Sequence, residues 1–147
     1  MKRKVSLFLL LSLVIGVLAA CGSSQPAESV VTNEIVVDMA DIHYGDSNDN
    51  VASPPEWTVT SGADITVRME NMGTLEHSWV VLKAGQEIPV NFDQSQHSDL
   101  VLFDSGIVTA DSSGTTRFTA PAPGEYNVVC TVLGHSGLMQ GRLVVTQ

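Results

Sequence analysis

The 147 residues carry 16 acidic and seven basic side chains, a formal −9 at pH 7. A chain of this length suits one domain with a real core. Its acidity excludes charge-driven binding to nucleic acid or anionic lipid and leaves two readings, a basic partner or plain solubility.

The chain opens with Lys2, Arg3 and Lys4, then the apolar run Val5–Ala20. A basic start, an apolar stretch and small residues before a cut form the pattern of a signal peptide, residues 1–20. The run is short of the roughly 20 residues that a spanning helix needs. The stretch Leu18-Ala19-Ala20-Cys21-Gly22 resembles a bacterial lipobox. That resemblance implies cleavage before Cys21 and a lipid on its sulfur, which places the protein on the extracytoplasmic face of the cell membrane. Cleavage would leave four basic residues against 16 acidic ones, a formal −12. Residues 21–30 are polar and small after the cysteine and read as a tether. Residues 31–147 form the folded domain.

From there on the pattern is β. Glu34–Met39 is rich in β-branched residues. Asp64–Asn71 alternates, with Ile65, Val67 and Met69 on one face and Thr66, Arg68 and Glu70 on the other. His77–Leu82, Thr115–Ala120, Glu125–Cys130 and Gly141–Thr146 follow, separated by Gly, Pro, Asn and Asp turns. Many short strands with such turns predict an all-β sandwich or barrel. Asp46–Glu56 reads as a loop, and Ala84–Gly106 as a loop or short helix.

Export makes Cys130 informative. Outside the cytoplasm cysteines usually pair, yet the other cysteine, Cys21, would carry lipid. Tyr126, Val128 and Cys130 share one strand face, so periodicity leaves open a small buried hydrophobe. The stretch Cys130–Met139, "CTVLGHSGLM", gives a second reading. Thiolate and thioether suit copper(I), imidazole suits both oxidation states, and two His, one Cys and a weak axial Met make a type 1 copper site. Cys130, His135 and Met139 are spaced for one loop to wrap an ion, with Gly134 and Gly137 relaxing the backbone. The second imidazole comes from His77, which opens a strand beside Trp79 and Val81. His43 and His97 lie in polar surroundings and read as solvated loop residues. Each donor alone has an ordinary explanation, but together the ordinary explanations lose ground.

The segments "NMGTLEHSWVVLKAG" and "APAPGEYNVVCTVLGHSGLMQGRLVV" resemble the cupredoxins, the blue-copper family, and within it the auracyanins, with azurin more distant. The resemblance implies a Greek-key sandwich with one copper held by His77, Cys130, His135 and Met139. Three positions depart from the family pattern. Ser78 stands where an Asn often ties the two ligand loops together. Leu133 replaces a proline and restores a backbone N–H. Glu76 replaces the Gly whose carbonyl lies near the metal in azurin. The resemblance further implies a one-electron carrier, not an enzyme, working as a monomer between a cytochrome or quinol-oxidising complex and a terminal acceptor. Leu133, Gly134 and Leu138 would form its docking patch. Copper storage or delivery outside the cytoplasm is the competing reading, but it favours an open, Met-rich site.

Overall fold

A computed structural model describes residues 33–147. The expected signal peptide, Cys21 and the whole tether lie outside the described residues. No helix among the described residues is long and apolar enough to cross a membrane.

Among the described residues, nine strands form two sheets. They are β1 (Glu34–Ala40), β2 (His43–Tyr44), β3 (Glu56–Thr60), β4 (Asp64–Asn71), β5 (His77–Leu82), β6 (Val101–Val108), β7 (Ser112–Thr119), β8 (Gly124–Val129) and β9 (Gln140–Thr146). One sheet runs β2-β1-β4-β7 and the other β3-β9-β8-β5-β6. The pairs β1/β4 and β3/β9 are parallel and the other pairs antiparallel. The non-sequential neighbours are the crossovers expected of a Greek-key sandwich.

β4 shows how the sequence makes the core. Ile65, Val67 and Met69 point inward and are buried, as alternation predicts. Arg68, on the opposite face, lies 3.6 Å from Glu34 and 3.5 Å from Glu70. Such half-exposed pairs add little stability. Between the sheets, Trp79 lies at the centre of an aromatic group with Trp57, Phe103 and Phe118, at centroid distances of 5.7, 6.2 and 5.9 Å. Ring pairs at these separations contribute beyond the area they bury.

β5 departs from alternation, because all six of its residues are buried. Trp79 and Val81 face the sandwich. Val80 and Leu82 face outward, into a second apolar cluster with Val129 and Phe92. The segment between β5 and β6 covers that outer face, adding Ile88 and Leu100. The central strand is thus buried on both sides, as in a three-layer packing.

The segment expected to be irregular, Ala84–Gly106, contains a short helix, α1 (Gln94–His97), as foreseen, but its end belongs to β6. Asp104, Ser105 and Gly106 mask that strand in sequence. Gly106 has φ +78° and the pairing with β5 shifts register, the mark of a bulged strand. β2 and β3 were also unexpected, and β7 begins at Ser112, before the predicted Thr115. β3 is short, yet Trp57 covers Gly141 so closely that a Cβ there would meet its ring at 2.6 Å.

Candidate metal centre

The donors arrive by two routes. β5 delivers His77 at its first residue. β8 ends at Val129 and hands Cys130 to the loop that returns to β9. Cys130 N–H donates to the Met139 carbonyl at 3.1 Å, closing the base of that loop. Within it, His135 N–H donates to the Val132 carbonyl at 3.0 Å, and the Leu138 and Met139 amides both donate to the His135 carbonyl at 2.9 Å. Two consecutive turns therefore fold His135 back over Cys130. Gly134 makes the bend at φ +88°, a conformation that costs other residues about 1–2 kcal/mol. Gly137 has no left-handed φ, so its expected role in relaxing the loop is not needed.

His77, Cys130 and His135 meet. Their ligand atoms all lie within 4.8 Å of one another, and all three residues are buried. Cys130 Sγ stands 3.9 Å from His77 Nδ1 and 3.7 Å from His135 Nδ1. Metal bonds of roughly 2.0 Å to nitrogen and 2.3 Å to sulfur, opening at 120°, separate the two donors by about 3.7 Å. The spacing therefore fits one ion in a trigonal plane of two imidazoles and a thiolate. Met139 is fully buried in the same core. His43 and His97 are elsewhere. Neither is a solvated loop residue: His43 lies half-buried in β2, and His97 ends α1 with its ring 5.3 Å from Phe92.

Electrostatics suits the donors to metal. Burial lowers the His77 pKa from 6.5 to about 4, helped by the neighbouring His135. Burial also lowers that of His135. Both rings are held neutral near pH 7, the form in which imidazole coordinates. Burial pushes the Cys130 thiol up, opposed by the Ser78 and Val132 amides and the Ser78 hydroxyl. Those donors would stabilise a thiolate once a cation had displaced the proton.

Ser78 ties the two routes together. Its N–H points at Cys130 Sγ at 3.4 Å, and its Oγ accepts from the Thr131 amide at 2.9 Å and lies 3.0 Å from Thr131 Oγ1. A shorter side chain than Asn thus still joins the ligand strand to the ligand loop. The negative charge of Glu76 reaches both Cys130 and His135. Leu133 is 80% exposed and Leu138 54%, whereas His135 is 8% exposed and His77 is fully covered.

Sequence reasoning missed two supports. The Tyr44 hydroxyl donates to the Ser78 carbonyl, holding β5 next to its ligand, yet Tyr44 sits in a two-residue strand without periodicity. Ser136 accepts from the Phe92 amide through Oγ at 3.1 Å, and its carbonyl accepts from Gln140 Nε2 at 2.8 Å. Its place next to His135 in the sequence was the available signal.

No protein-family model matches the chain. It is 29% identical over 143 residues to auracyanin-A of Chloroflexus aurantiacus, covering 88% of each chain. The structure of dithionite-reduced auracyanin from Roseiflexus castenholzii superposes with a TM-score of 0.61 and 26% identity, over 80% of this chain and 99% of the other. An azurin from Methylomonas sp. strain J shares the fold at 18% identity, with a TM-score of 0.60 over 78% of this chain and 98% of that one. With a two-sheet sandwich and a buried His-Cys-His cluster at a loop end, the chain has the cupredoxin fold and is similar to the auracyanins and, more distantly, to azurin.

Proposed function

We propose that this protein is a one-electron carrier built on a single type 1 copper. It would be tethered through a lipid on Cys21 at the extracytoplasmic membrane face and would pass electrons between complexes of a respiratory or photosynthetic chain. The observation that carries this reading is the donor cluster, with both Nδ1 atoms within 4 Å of Cys130 Sγ. His77, Cys130 and His135 would hold the ion, and the Met139 thioether would be the weak fourth donor. Copper in such a site supplies a one-electron couple between its +1 and +2 states.

The chain's own residues keep the donors from rearranging. The doubly buried β5 fixes His77, the backbone bonds of the Cys130–Met139 loop fix His135, and Ser78 fixes the two relative to each other. A packed interior resists displacement, so the same donors would serve both oxidation states with little movement. His135 lies nearest the surface of the three, in the same loop as exposed Leu133 and Leu138. Those two side chains with Gly134 would form a small apolar docking patch, suited to a transient contact below about 1,200 Å². The acidic remainder would steer a basic cytochrome toward it.

Copper storage fits less well. It favours an open site with several methionines, whereas Met39 and Met69 are packed into the core.

A visible spectrum of the purified protein with one equivalent of copper(II) tests the reading. A strong thiolate-to-copper band that bleaches with ascorbate is expected. A colourless complex would remove Cys130 as a ligand and make copper delivery the leading reading.

A further inference from the structure

We propose that Asp41 is a positioning residue for His77: its carboxylate clamps the loop 72–76 and holds negative charge on the approach to that ligand. The inference rests on the copper reading for its electronic half, while its structural half stands without metal.

Asp41 follows β1 in the turn toward β2, far in sequence from the ligands. Its Oδ1 accepts from the Thr74 amide at 2.6 Å and the Leu75 amide at 3.3 Å, and its Oδ2 accepts from Thr74 Oγ1 at 3.0 Å. One exposed side chain thus takes three hydrogen bonds from two residues of the loop that leads into His77. Such bonds to a charged acceptor are the stronger kind. Gly73 makes room for the approach, because a Cβ there would meet Oδ1 at 2.6 Å.

The loop is gripped from the inside as well. Buried Asn71 donates through Nδ2 to the carbonyls of Leu75, Val108 and Thr109 at 2.8, 3.1 and 3.0 Å, and its Oδ1 accepts from the Gly73 amide at 3.0 Å. Asn71 fixes the loop to the body of the sandwich, and Asp41 closes it from outside. Between them only Glu76 separates the clamped residues from His77. Held on residues two and three positions before His77, the carboxylate keeps its negative charge near that ligand, where positive charge is favoured. Added positive charge on a bound metal would be favoured in the same way.

The substitutions Asp41→Asn and Asp41→Ala separate the two effects. Asn keeps an acceptor for the loop amides and removes the charge, whereas Ala removes both. In the metal-free protein, Asp41→Ala should speed amide exchange at Thr74 and Leu75 by at least about tenfold, with global stability little changed. In the copper form, Asp41→Asn should shift the reduction potential upward, because charge that favours the oxidised state is lost. Unchanged exchange in Asp41→Ala, or an unchanged potential in Asp41→Asn, overturns the proposal. A wild-type protein that forms no thiolate band would sink the copper reading instead, and the exchange experiment would still decide the clamp.

Discussion

His77 and the Cys130–Met139 loop supply the same cluster by opposite means. His77 is fixed by the body of the protein, on a strand packed on both faces. Cys130, His135 and Met139 are fixed locally, by four backbone bonds across a short loop. One side of the site thus depends on the global fold and the other on turn geometry. Ser78 is where they meet. The difference teaches that ligand chemistry and fold stability are separable on the loop side and coupled on the strand side.

The sharpest test of that separation is Cys130→Ser. The visible band should vanish completely while circular dichroism and the unfolding midpoint stay near wild type. A blue variant would refute the ligand assignment, and an unfolded one would couple loop to core. On the strand side the largest cost falls on Phe92→Ala, which opens the layer over Val80 and Leu82 and should destabilise by about 3–5 kcal/mol in urea unfolding. A cost near zero would mean that the outer layer does not hold β5.

The pH dependence of the metal-free protein comes next. His77 titrates at about 4 when folded and near 6.5 when unfolded. Its contribution is therefore complete above pH 6.5 and is lost as pH falls toward 4, where the unfolded chain binds the extra proton. The slope should reach about 1.4 kcal/mol per pH unit. A flat profile there would contradict a buried neutral ring. Ser78→Ala removes the link itself and leaves the Thr131 amide without its acceptor, at about 1–3 kcal/mol. A neutral Ser78→Ala in denaturant titration would show the two routes to be independent. The smallest effect is expected at Met139→Leu, which should keep copper and raise the potential as a weak electron donor is lost. Voltammetry showing no shift would argue against axial coordination.

Much of this was legible along the chain. β4 and β5 were predicted at their observed bounds, and the burial of Ile65, Val67 and Met69 followed from alternation. All four donor candidates were visible because residue type and spacing carry metal chemistry directly. β6 was not visible, since a bulge and Asp104-Ser105-Gly106 erase the period of two on which the reading depends. His97 was misjudged for a similar reason: its polar neighbours in sequence concealed Phe92 beneath its ring.

By itself the sequence determined the strand-rich class and the Cys-His-Met loop, because these rest on local periodicity and on the chemistry of single side chains. Tertiary structure alone decided what covers the outer face of β5, and that Tyr44, Asn71 and Asp41 support the site. Tyr44 and Asp41 reach partners 34 positions away and Asn71 one 38 away, and only folding brings such groups within hydrogen-bond reach.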